Sequence, residues 1–155
     1  MSKKIICVIS DTHGLLRKEA LEELSGADII IHAGDIGNKQ ILDDLEKIAP
    51  VIAVMGNCDE GEWTKELVEE RWLEIEGIKI YVLHDISKAN INIDNSDINV
   101  VIYGHSHKPI SINKDGILYV NPGSAGPRRF DLPTTIAKLE INNGLEKVEI
   151  VNLLI

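Results

Sequence analysis

Cysteine is scarce, with two in 155 residues. Cys7 and Cys58 sit in different contexts, and two such thiols do not make the framework of a disulfide-stapled secreted domain. Cys7 lies inside an apolar run and reads as a small core residue. Aromatic residues make up only 4% of the chain, with a single Phe, which excludes a stacking platform for single-stranded bases. Basic residues are also few, 16 against 25 acidic ones, for a net charge of −9. That balance, with no basic stripe, argues against a footprint on a nucleic-acid polymer or an anionic membrane. No apolar run approaches the ~20 residues of a membrane span. Met1-Ser2-Lys3-Lys4 followed by Ile5–Ile9 has the order of a signal peptide, but its apolar part is too short and halts at Asp11. The protein is therefore expected in the cytoplasm.

What is present is ordinary for a globular chain: 44% apolar and 26% charged residues, with a length suited to one domain, 1–155. Ile5–Ser10 is a continuous apolar run, as in a strand buried on both faces. Leu16, Ala20, Leu21 and Leu24 then fall at helical spacing within 15–24. Asp28–His32 predicts a second strand, 39–48 a second helix stopped by Pro50, and Val51–Met55 a third strand. Strand and helix alternating through short links give a right-handed parallel unit. From there the pattern changes. Three hairpins are predicted around Glu76-Gly77, Lys114-Asp115-Gly116 and Asn142-Asn143-Gly144, with a buried strand at Asn99–Tyr103 and a polar stretch at 86–98 read as a short helix or loop. Two mixed sheets packed face to face, with helices outside, accommodate both halves.

The informative stretch is Val101–Pro109, VIYGHSHKP. His105 and His107 stand two residues apart, so in extended chain both imidazoles face one point. Asp, Asn and His recur where other strands end: Asp11 and His13, Asp35, Asn57, and His84. In open α/β sheets ligands bind beyond the carboxyl ends of the strands. Singly, each residue has an ordinary explanation: Asp11 could cap a helix, Asn57 support a turn, His84 be a satisfied polar group. Seven such residues at five strand ends point instead to a metal site. The donor set is oxygen and imidazole nitrogen without a thiolate cluster, which disfavours structural zinc and suits a catalytic first-row ion. Seven donors suit two ions sharing a carboxylate.

Asp11-x-His13, Gly34-Asp35, Gly56-Asn57, His84 and Gly104-His105-x-His107 resemble, in order, the blocks of the calcineurin-like metallophosphoesterases, over Ile5 to about Arg129. Gly56-Asn57-Cys58-Asp59 and Asn121-Pro122-Gly123-Ser124 are most similar to the small YfcE-type phosphodiesterases. The resemblance implies a four-layer αββα sandwich, a phosphoric diester hydrolase and two divalent ions. Mn²⁺ is the leading expectation, with Fe²⁺, Zn²⁺, Co²⁺ or Ni²⁺ as alternatives. It implies that Asp11, His13 and His107 hold one ion and Asn57, His84 and His105 the other, with Asp35 bridging and a bridging water or hydroxide attacking phosphorus.

Two departures follow. Much of the family has a His after the Asn of Gly-Asn, as an acid for the leaving oxygen; here Cys58 stands there, either catalytic or simply packed beside the site. His84-Asp85 replaces a common His-Gly-His, from which a more open pocket is expected. Arg128 and Arg129 are candidates for gripping phosphate, or else solvated loop residues. Trp63 and Trp72 read as core or interface, and Val148–Ile155 as an exposed edge or a contact in a homo-oligomer. The expected substrate is a small phosphodiester. The competing readings are a non-catalytic scaffold of the retromer-subunit kind and a phosphomonoesterase.

Overall fold

The computed structural model describes residues 3–93, 96–129 and 131–154. β1 (Lys4–Ile9), β2 (Ile29–His32) and β3 (Val51–Ala53) run parallel, joined through α1 (Lys18–Leu24) and α2 (Lys39–Glu46). β4 (Glu70–Ile75) and β5 (Ile78–Leu83) form a hairpin, and β6 (Val100–Ile102) pairs in parallel with β5. β7 (Ile110–Lys114) with β8 (Ile117–Asn121), and β9 (Thr135–Asn142) with β10 (Leu145–Asn152), are two further hairpins. The strands make two mixed five-stranded sheets, ordered β10-β9-β1-β2-β3 and β4-β5-β6-β8-β7. The C-terminal strand β10 is thus an edge strand. Each hairpin turns on two residues of positive φ, 49° and 83° at Glu76-Gly77, 54° and 84° at Asp115-Gly116, and 56° and 78° at Asn143-Gly144. Those are the values that match a tight turn to the right-handed twist of its strands.

The alternation of side chains along a strand explains why β1 is apolar throughout. Ile6 and Val8 point into the space between the sheets, where they meet Ile80, Val82, Ile102, Val120 and Leu139. Cys7 and Ile9 point the other way, onto Ala20 and Leu24 of α1 and Leu45 of α2. Burial pushes the Cys7 thiol up to about 11, so it serves packing, as expected. Trp63 packs against this same cluster, whereas Trp72 on the edge strand β4 is 52% exposed and lies over Tyr81, ring centroids 4.5 Å apart. A third cluster covers the outside of the second sheet. There Tyr81, Leu83, Val101 and Ile117 are capped by Ile86, Ala89, Ile91 and Ile98. The covering segment includes a 3₁₀ turn at Ile86–Lys88, so the fourth layer of the sandwich is thinner than the first.

Both α-helices are shorter than their periodicity predicts. α1 starts at Lys18, because Leu15 belongs to a turn closed by its own N–H on the Thr12 carbonyl, 2.8 Å. α2 starts on the Asn38 cap, whose side chain accepts from the Ile41 N–H at 3.2 Å. Among the described residues no helix is long and apolar enough to cross a membrane. What the topology achieves is convergence. β1, β2 and β3 of one sheet and β5 and β6 of the other all run toward the same end, where their carboxyl termini meet.

Ile102, fully buried between the sheets, tests that packing. Ile102→Ala is expected to lower the unfolding free energy by about 2–5 kcal/mol with an unchanged denaturant slope, read from urea melts.

Candidate metal centre

Each of the five converging strands delivers a polar side chain within a few residues of its end. Asp11 and His13 follow β1, Asp35 follows β2, Asn57 follows β3, His84 follows β5, and His105 and His107 follow β6. Among the described residues eight besides glycine have positive φ. Three are the hairpin residues already described; the other five are Asp11 (56°), His13 (45°), Asp35 (56°), His105 (75°) and His107 (63°). A non-glycine residue held there costs about 1–3 kcal/mol and persists only where its surroundings over-determine it. Asp11 is therefore not a helix cap. Its loop is bent so that its carboxylate turns inward.

The inward side chains form one compact group. His107 Nε2 lies 3.4 Å and His13 Nε2 3.8 Å from Asp11 Oδ1. His84 Nε2 lies 3.2 Å and His13 Nε2 3.8 Å from Asp35 Oδ2. The rings divide into two pairs, His13 with His107 at 5.5 Å between centroids and His84 with His105 at 5.2 Å. His105 is the more exposed of these, 3.9 Å from Asp85. Asn57 is on the exposed rim, its amide 3.5 Å from Cys58 Sγ. It lines, with His84, Asp85, Glu69, Glu70, Lys88 and Asn90, a half-open cleft of about 510 Å³ including its mouth.

Each carboxylate is anchored through one oxygen and open at the other. Asp11 Oδ2 accepts from the Ser10 hydroxyl (2.7 Å) and the His105 N–H (3.2 Å). Asp35 Oδ1 accepts from the Cys58 N–H at 2.8 Å. His84 Nδ1 meets the Ala33 carbonyl at 2.7 Å, and since a carbonyl only accepts, Nδ1 carries the proton and Nε2 presents its lone pair. Asp11 Oδ1, His13 Nε2, His84 Nε2 and His107 Nδ1 are all buried without a hydrogen-bond partner. Buried polar atoms are nearly always satisfied, so four orphans in one place are unmet valences for a cation. Asp11, His13 and His107 have the spacing to share one ion, as do Asp11, Asp35 and His84. The donors fit divalent metal ions.

The electrostatics agree. Burial pushes the Asp35 carboxyl up, but the His84 imidazole and the Cys58 N–H outweigh it and hold the group well below the usual carboxylate range. Asp11 is lowered as well, burial being overcome by His107, Ser10 and His84. Burial pushes His84 down, yet Asp35, Asp11 and the Ala33 carbonyl bring it above its ordinary value. Cys58, exposed, reaches the cluster formed with His13 and Asp35. Desolvation and the Asp35 charge push its thiol up, away from the range of an efficient acid at neutral pH.

Arg128 and Arg129 are exposed, outside the donor group. The arginine that the loops do hold is Arg17, whose Nη2 donates to the Gly126 carbonyl at 3.2 Å, and no pattern in the sequence singled it out. Other supports were equally unannounced. Asp59 accepts from the N–H groups of Ile36 (3.2 Å), Gly37 (3.0 Å) and Gly56 (3.0 Å), tying the loop after β3 to the loop after β2. Asn121 donates to the Gly104 carbonyl at 3.1 Å and steadies the His105–His107 loop. Gly56 and Gly104 allow backbone to lie directly against the Asp35 and Asp11 carboxylates, where a Cβ would collide.

A family model described as the calcineurin-like phosphoesterase superfamily domain matches residues 5–144. A probable metallophosphoesterase of Methanocaldococcus jannaschii is 38% identical, the alignment covering 92% of this chain and 78% of that one. The phosphodiesterase YfcE of Escherichia coli is 27% identical, with 84% of each chain covered. Among solved structures, an archaeal phosphodiesterase superposes with a TM-score of 0.79 at 26% identity, over 95% of this chain and 99% of that one. Vps29 of Entamoeba histolytica, solved with Zn²⁺, gives 0.71 at 25% identity, over 96% and 99%.

A pH dependence follows for the metal-free protein. The lowered Asp11 and Asp35 contribute stability above about pH 4 that is lost as pH falls through their folded values. The raised His84 contributes stability below about pH 6.5 that is lost as pH rises through its folded value. In EDTA the thermal midpoint is therefore expected to fall above about pH 6.5, and His84→Gln to flatten that decline; calorimetry across pH reads both.

Proposed function

This chain belongs to the calcineurin-like phosphoesterase superfamily, and from that membership we propose that it is a metal-dependent hydrolase of small phosphodiesters. The observation that carries the reading is the set of four buried, unpartnered donor atoms on Asp11, His13, His84 and His107 beside the Asp35 carboxylate. Two divalent ions bound there, Mn²⁺ being the leading candidate, would neutralise charge building on the phosphoryl group and bring the pKa of water toward neutrality.

The chain's own residues do the rest. Asp11, His13 and His107 would hold one ion, and His84, with Asn57 and His105 as the family resemblance implies, would hold the other. Asp35, fixed through Oδ1 by the Cys58 N–H, turns Oδ2 toward both His84 and His13 and would be the ligand the two ions share. The Ala33 carbonyl keeps the His84 proton on Nδ1, so that Nε2 stays a donor. The cleft lined by Asn57, Glu70 and Asp85 gives the second ester substituent somewhere to lie, which favours a diester over a monoester. A scaffold on the same fold is distinguished from an enzyme by turnover, since a Vps29 structure also holds Zn²⁺.

Cys58 is the weak point of the machinery. A thiol, pushed further up by desolvation and the Asp35 charge, is less well matched to acid catalysis at neutral pH than the imidazole much of the family carries there. Acidic alcohols and phenols should therefore leave well and simple alkanols slowly.

Two measurements test the proposal. Hydrolysis of a bis-aryl phosphate should need added Mn²⁺ and disappear in Asp35→Asn. No metal-dependent turnover, or full activity in that variant, would overturn it. Cys58→His should speed the release of alkyl leaving groups by roughly 10²-fold and aryl ones far less; equal effects would remove Cys58 from the proton-donating position.

A further inference from the structure

Four of the five histidines belong to the donor group. The fifth, His32, ends β2 and is fully buried. Its ring lies between two loops. On one side Nδ1 is 3.1 Å from the Gly34 N–H, just before Asp35; on the other, Nε2 is 2.9 Å from the Thr12 hydroxyl, between Asp11 and His13. The Thr12 hydroxyl also lies 2.7 Å from the Ile36 carbonyl.

Proton directions in this chain of bonds admit one solution. The Ile36 carbonyl only accepts, so the Thr12 proton goes to it, and Thr12 must accept from His32 Nε2–H. Nδ1 is then a lone pair, which the Gly34 N–H requires. The ring is neutral with its proton on Nε2. Desolvation favours the same state, pulling the imidazole down to about 4 against the opposing pull of Asp11, Asp59 and Asp35.

The bonds span two of the three donor loops in which backbone strain is concentrated. Asp11, His13 and Asp35 all have positive φ, and Thr12 and Gly34 are their immediate neighbours. Backbone bonds also run between these loops, Asp11 N to Gly34 O (3.0 Å), His13 N to Asp35 O (2.9 Å) and Gly14 N to Ile36 O (2.8 Å). They tie backbone to backbone. The His32 ring adds a rigid side-chain link, bonded to one loop at each end.

We infer that His32 is a positioning residue: its buried imidazole struts the Asp11–His13 loop against the Gly34–Asp35 loop and so sets the donor geometry of the ion position shared by Asp11, His13, Asp35 and His107. The inference rests on the two-ion reading proposed above. It gives His32 no contact with substrate or ion. Outer groups that orient ligands are worth about 10–100-fold in metal affinity, and His32 acts on two loops at once.

The test is calorimetric titration of MnCl₂ into EDTA-stripped protein, well below the melting temperature of each variant. Wild type is expected to bind two ions. His32→Leu and Thr12→Val should each weaken one of the two by about 10–100-fold, and the double variant no further, because both break one link. His32→Gln, whose amide can still donate to Thr12, should retain most of the affinity. A residue needed only for folding would lower the melting temperature and leave Mn²⁺ affinity of the folded protein intact. Wild-type affinity in both single variants, or additive losses, would overturn the strut. If His32→Leu fails to fold, Thr12→Val and His32→Gln decide by the same criteria. Wild type binding no divalent ion would instead bring down the two-ion reading, and the strut with it.

Discussion

Two carboxylates are held out of water with one oxygen each left open, and the rest of this end of the molecule exists to tolerate that. Asp11 is fully buried and Asp35 is 3% exposed. An uncompensated buried charge is so costly that a group ordinarily neutralises instead. Here the surrounding imidazoles, the Ser10 hydroxyl and the Cys58 and His105 N–H groups hold both carboxyls below their usual range. The compensation is partial by design, since what satisfied these atoms fully would displace a cation. Strained backbone at five donor positions, with glycines pressed against the carboxylates, is what that arrangement requires of the chain.

The strands that bear the donors were legible because burial on two faces leaves an unbroken apolar run, and such a run ends abruptly where it meets the site. Ile5–Ser10 followed by Asp11 is the clearest case. The hairpins were legible too, since Glu-Gly, Asp-Gly and Asn-Gly pairs carry the positive φ of their turns in their own chemistry. The start of the second helix at Lys39 was legible as well, but that of the first was not. Periodicity predicted α1 from Leu15, but the turn that aims His13 inward consumes Leu15 and Leu16 first. A tertiary demand overrode a local one.

The donors emerged from the sequence as a set, whereas their supports did not. Asp59 sits three residues after Gly56 and accepts its N–H, a local reach back along the chain that spacing could have suggested; its reach across to Ile36 and Gly37 could not be foreseen. Ser10, Thr12, Asn121 and Arg17 have roles only because distant loops meet them. His32 shows the limit most plainly. As the last residue of an apolar strand it looked like one more strand end, and only the positions of Thr12 and Gly34 distinguish it from the four histidines that face the cation site. Arg128 and Arg129, whose chemistry suits phosphate, stand exposed in their loop, and among the described residues no contact to the donor group marks them as the sequence had.

The three tight turns have a bearing beyond folding. β5 and β8 run toward the donor end and β9 runs away from it, so Glu76-Gly77, Asp115-Gly116 and Asn143-Gly144 all lie at the opposite pole. A side-chain carbon added at any of those glycines would enter open space. The molecule is therefore divided lengthwise into a pole whose glycines press against the donor carboxylates and one whose turns, though their positive φ still favours glycine, face open space. A fluorophore, an affinity handle or a whole inserted domain grafted at the hairpin pole would ride on the sandwich with its chemistry a strand's length away.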